Sequence, residues 1–140
     1  MSIMDSSSIT HGKILIIEDD VEVREIFKLQ LERANYNVIE VSNGQEGIDL
    51  IKKESNLKQI GLIITDIRMP KVNGVEAIDY IKANAPSIPI MVVTGYPDTE
   101  LAIDLLQKGV KDYLVKPVEK DKLLSKVKAI LDSKQDFDYV

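Results

Sequence analysis

A chain of 140 residues with 44% hydrophobic content and a formal net charge of −5 is long enough for one domain with a proper core. It has no Cys, which excludes a disulfide framework and a thiolate metal site, and no apolar stretch approaches the ~20 residues that span a bilayer. A pI near 4.9 argues against nucleic-acid binding by bulk electrostatics, and MSIMDSSSIT lacks the basic and apolar regions of a signal peptide, so the cytoplasm is the expected setting.

Residues 1–12 are Ser-rich and without periodicity, and read as a flexible leader; the single His, His11, is taken as part of it and not as a ligand. Lys13–Ile17 (KILII) is a fully apolar strand that runs into Glu18, Asp19 and Asp20. Asp20 is positioned to cap the following helix, although it could instead belong to an acidic pair; Val23, Phe27, Leu31 and Ala34 give that helix its apolar spacing, with an end near Asn35. Asn37–Val41 alternates enough for a short strand, and Asn43 offers a cap for a helix to about Lys53, with Ile48 and Ile51 inward. Ile60–Thr65 is the next apolar run, ending in Asp66 and a loop that holds Pro70, Asn73 and Gly74.

Asn73 should cap a helix from Val75 to about Ala83, with Ile78 and Ile81 as its contacts. Ile88–Val93 is a fourth strand closing on Thr94 and Gly95. Pro97 and Asp98 introduce a helix to about Lys108, stopped by Gly109. Lys111–Val115 is the fifth strand and leads to Lys116-Pro117. A last helix, Glu119 to about Leu131, shows Leu123, Leu124, Val127, Ile130 and Leu131 on one side, and residues 134–140 read as a flexible tail, so the domain is placed at 13–133.

Five strands alternate with five helices, which predicts a doubly wound α/β domain with a parallel sheet. The first, third and fourth strands are apolar throughout and belong in the interior. The flavodoxin-like order 2-1-3-4-5 meets that condition, by analogy with known folds of this size. In that order Glu18 and Asp19 end up beside Asp66, with Thr94 and Lys116 at the ends of the next two strands. Three carboxylates in one crevice repel and call for a cation; an all-oxygen donor set suits Mg2+ before Zn2+. A carboxylate, a hard dication, a Lys and a Thr form a phosphoryl-transfer set in which Asp66 attacks phosphorus, needing no general base.

Taken in order, ILIIEDD, IITDIRMP, VVTG and DYLVKP resemble the receiver domain of the two-component response-regulator family, over about Lys13 to Leu131. The resemblance implies that Asp66 is the phosphoacceptor and that Asp19 ligates Mg2+ directly, with Glu18 acting through water and the backbone carbonyl of Arg68 completing the site. It also implies a switch hydroxyl at Thr94, a switch aromatic at Tyr113, a phosphate-binding Lys116 and a cis Lys116-Pro117 bond. The implied partners are a sensor histidine kinase or histidine phosphotransfer protein upstream and one downstream protein, read through the fourth helix, fifth strand and fifth helix. No direct contact with nucleic acid or membrane is implied. The chain would not be an enzyme beyond its own phosphorylation and autodephosphorylation, and would be a single-domain element, a relay stage or a receiver from a longer protein.

Plainer readings stand beside these. Asp66 could cap a turn, Tyr113 could be ordinary strand packing, and Lys116 could be a solvated lysine. Gly74 and Gly95 serve the backbone, Gly95 also leaving space beside Thr94. An aspartyl-phosphatase is the main rival function, but it wants a second acid two residues after the nucleophile, where Arg68 stands. A flavin-binding module of similar fold would want a hydroxyl-rich loop where this chain has EDD.

Overall fold

The computed structural model describes residues 12–53, 57–68 and 73–138. Residues 1–11 of the leader expected at 1–12, with His11, and the loop residue Pro70 lie outside them, as do residues 139–140. The chain alternates β1 (Lys13–Ile17), α1 (Val21–Arg33), β2 (Val38–Val41), α2 (Gly44–Ile51), β3 (Ile60–Thr65), α3 (Gly74–Asn84), β4 (Ile90–Thr94), α4 (Thr99–Gln107), β5 (Asp112–Val115) and α5 (Lys120–Asp138). All strand pairs are parallel and the sheet order is β2-β1-β3-β4-β5, the order expected by analogy and compatible with the apolar runs.

Successive side chains of a strand point to opposite faces, so an unbroken apolar run must be covered on both. Leu15, Ile17, Ile63, Ile90 and Val92 pack with Ile51 of α2, Ile78 and Ile81 of α3 and Leu105 of α4. Their neighbours Ile14, Ile16, Leu62, Ile64, Met91 and Val93 face the other way, against Phe27 and Leu31 of α1 and Leu123, Val127 and Leu131 of α5. β2 has no fully buried residue and lies at an edge, as its alternation implied.

The helix starts are locally encoded. Asp20, Asn43, Asn73 and Asp98 each accept from backbone N–H groups of the first turn of α1, α2, α3 and α4. Asn35, just past the end of α1, takes the left-handed conformation at φ 72°, and Gly109 does so at φ 103° after α4. The last helix departs from expectation: α5 runs to Asp138, not to about Leu131. The apolar spacing ends at Leu131, but no Gly or Pro follows to stop the backbone, and the (i, i+4) pair Lys128–Asp132 at 2.6 Å supports the turn leading there.

The register places the strand ends. Ile17 pairs with Thr65 across β1 and β3, so the residues that follow, Glu18 and Asp66, emerge side by side. Bonds continue the ladder past the strands: Asp66 N donates to Ile17 O at 3.0 Å, and Lys116 N donates to Thr94 O at 2.8 Å.

Candidate functional site

Carboxylate oxygens of Glu18, Asp19 and Asp66 lie within 4.8 Å of one another at the carboxyl end of β1 and β3. Glu18 and Asp66 are buried, whereas Asp19 is exposed. Lys116 reaches in from the end of β5, and its Nζ stands 2.8 Å from Asp66 Oδ2 and 2.7 Å from Glu18 Oε1. The ammonium spans two of the three carboxylates; among the described residues Asp19 has no ion-pair partner. Asp66 Oδ1 is held separately, accepting the backbone N–H of Arg68 at 3.0 Å.

Burial pushes the Glu18 carboxyl above the usual carboxylate range, and the hydrogen bond from Lys116 offsets this only in part. Burial alone would lower the Lys116 ammonium, but its bonds to Asp66 and Glu18 outweigh that and raise it above its ordinary value. One ammonium against three carboxylates leaves the cluster short of positive charge. The donors are all carboxylate oxygens, with no His or Cys among them, and one of the three is open to solvent. That chemistry fits a hard, partly hydrated dication such as Mg2+.

The other predicted residues are arranged around this core. Thr94 is fully buried at the end of β4, on the strand beside β3, and its Oγ1 accepts from Tyr96 N at 3.1 Å. Arg68 and Tyr96 stack at the rim, the guanidinium carbon 4.9 Å from the ring centroid. Tyr113 stands apart on β5, packed against the α2–α3–α4 side of the core, with a buried Oη that has no hydrogen-bond partner among the described residues. The Lys116-Pro117 bond is cis. Asp20 Oδ1 is engaged at the start of α1, which settles its role as a cap.

Two residues of the site were not singled out by sequence reasoning. Thr65 Oγ1 donates to the Asp66 carbonyl at 2.7 Å, and Arg24 Nη1 donates to the Glu18 carbonyl at 2.8 Å. A signal for Arg24 existed: it lies four residues after Asp20, so its helix face looks back at the acidic turn. For Gly95, a Cβ would meet only Lys116 Cδ at 3.9 Å, so a methyl fits the space there.

Comparison with known proteins agrees with this geometry. The response regulator receiver domain family matches residues 14–128. The chain is 34% identical over 110 residues to the transcriptional regulatory protein ZraR of Klebsiella oxytoca, covering 79% of this chain and 24% of that protein. It is 35% identical over 119 residues to the response regulator ArlR of Staphylococcus aureus, covering 85% and 52%. The chain thus spans from about a quarter to half of these curated relatives. Among solved structures, a receiver domain from Clostridium thermocellum superposes with a TM-score of 0.82 at 29% identity, over 90% of this chain and 98% of that one. The receiver domain of a signal transduction histidine kinase from Syntrophus aciditrophicus gives a TM-score of 0.76 at 30% identity, over 87% and 91%. Among the described residues no helix is long and apolar enough to cross a membrane. Five parallel strands in this order, with acidic residues and a lysine meeting at their carboxyl ends, and a family match over most of the length lead to one conclusion: the chain belongs to the response regulator receiver domains of two-component signalling.

Proposed function

We propose that Asp66 accepts a phosphoryl group from the phosphohistidine of a sensor histidine kinase or histidine phosphotransfer protein, and that the phosphorylated domain switches a surface read by a downstream protein. The observation that carries this reading is the Asp66 carboxylate, held at one oxygen by Lys116 and at the other by Arg68 N–H, beside two further carboxylates. In the transfer, an Asp66 oxygen forms a bond to phosphorus as the P–N bond to the donor breaks, and the departing imidazole keeps the electron pair and takes a proton. Glu18, Asp19, Asp66 and the Arg68 carbonyl would hold Mg2+, which when bound supplies charge neutralisation at the phosphoryl oxygens. Lys116, released from Asp66 by the new bond, pairs with a phosphoryl oxygen.

The added charge also offers an acceptor to the buried Thr94 hydroxyl. A move of Thr94 and its loop opens room for Tyr113, whose hydroxyl, unpartnered among the described residues, favours any arrangement that gives it a partner. Ile103 and Leu106 of α4 and Val115 of β5 are exposed and would supply the apolar part of an output surface built on these elements. In this reading the chain is no enzyme beyond its own phosphorylation and dephosphorylation, acts in the cytoplasm, and has its receiver over residues 13–133. The phosphatase rival has no second acid at Arg68, whose guanidinium is stacked on Tyr96.

The test is incubation of wild type and Asp66→Asn with a small phosphodonor and Mg2+, followed by intact mass. Wild type gains one phosphoryl group and the variant none; continued labelling of Asp66→Asn removes Asp66 as the acceptor.

A further inference from the structure

Arg24 takes no part in the grip of Lys116 on Asp66, yet it is tied to the same acidic turn. It lies in the first turns of α1, part-buried, and its Nη1 donates to the backbone carbonyl of Glu18 at 2.8 Å. The turn is held from its other side as well: Asp20 N donates to Glu18 Oε2 at 3.1 Å, while Asp20 Oδ1 accepts from Glu22 N and Val23 N. Asp19 therefore sits between two anchored residues, and its own exposed carboxylate stays within 4.8 Å of those of Glu18 and Asp66. Like charges so placed repel, and a free turn would let the Asp19 carboxylate move away from the other two.

We infer that Arg24 is a positioning residue for the acidic cluster: by pinning the Glu18 carbonyl it orients the Glu18–Asp19 peptide so that both carboxylates face Asp66. This rests on the reading that the three carboxylates take up Mg2+. The residue type suits the task, because a guanidinium makes a charge-assisted bond to a carbonyl and its planar fork holds direction where an ammonium swivels. Groups that orient metal ligands typically change metal affinity by about 10–100-fold when removed. Arg24 is also a cation close to a cation site. If it acted through charge alone, its removal would tighten Mg2+ binding; if it acts by holding the turn, its removal weakens binding. The two roles differ in sign.

The experiment is titration of the full chain with MgCl2, without phosphodonor, followed by calorimetry and by the amide shifts of Asp19 and Arg68. Wild type, Arg24→Met and Arg24→Lys are compared, each checked by circular dichroism at the titration temperature. Arg24→Met, which keeps the aliphatic stem, is expected to raise the Mg2+ Kd by about tenfold or more. Arg24→Lys is expected to fall between it and wild type. An Arg24→Met Kd equal to or tighter than that of wild type overturns the inference, even if the melting temperature falls. Should Arg24→Met not fold, Arg24→Lys decides: a Kd raised about threefold or more supports the role, and a wild-type Kd overturns it. Wild type that shows no saturable Mg2+ binding refutes the metal reading itself, and the inference falls with it.

Discussion

Gly74→Ala separates helix propensity from the packing that places Asp66. Gly74 is the first residue of α3, buried, with its N–H donating to Ile67 O at 3.1 Å. Alanine is the better helix former by about 1 kcal/mol, so a local argument predicts stabilisation. A Cβ at this position, however, would run into the Asp66 carbonyl oxygen and Ile67 Cα. Both obstacles are backbone, which cannot rotate aside as a side-chain end can. Overpacking of this kind costs about 1–3 kcal/mol, and the rigid neighbours place it at the upper end, so the net expectation is a loss of about 2 kcal/mol. For a domain of this length that is a fall in Tm of roughly 8 °C. Relief by moving the end of β3 would also displace Asp66 from Lys116, and misplacement of a reacting group by about 1 Å can lower a rate ~100-fold. The assays are thermal melting by circular dichroism and the rate of Asp66 labelling by a small phosphodonor. Gly95→Ala is the comparison: its Cβ meets only Lys116 Cδ at 3.9 Å, ordinary contact, so Tm should hold or rise slightly. A Gly74→Ala protein as stable and as quickly labelled as Gly95→Ala would refute the reasoning.

Glu18→Gln tests the electrostatics of the apo cluster. Folding raises the Glu18 pKa, so between the unfolded and folded values the native state binds more protons and wild-type stability falls as pH rises. In EDTA, the Tm of Glu18→Gln relative to wild type should therefore be flat below about pH 4 and climb as pH rises through the raised folded value, then level off; a difference independent of pH contradicts it. Tyr113→Phe removes a buried hydroxyl that has no partner among the described residues, and should stabilise the unphosphorylated domain by about 1 kcal/mol in urea unfolding. A clear loss of stability would mean that Oη has a partner after all.

Much of the architecture was legible because its signals are local. Runs such as Leu62–Ile64 have to be covered on both faces wherever they lie, and Asp20, Asn43, Asn73 and Asp98 mark helix starts through bonds to residues two or three positions on. The end of α5 was not legible, since apolar spacing marks the buried part of a helix and says nothing of where an exposed backbone stops. Chain order alone supplied strand ends bearing Glu18, Asp19, Asp66, Thr94 and Lys116, and so the kind of chemistry they could share.

Only the tertiary structure decided how those groups divide their work. Lys116 meets Asp66 across 50 residues of chain and takes Glu18 with it, while Asp19 is left facing water. Arg24 reaches back from α1 to bond the Glu18 carbonyl, and Tyr113 buries a hydroxyl that has no partner among the described residues. Composition and periodicity determine which residues must leave water; which polar groups then pair with one another depends on distances that exist only once the sheet has set its register.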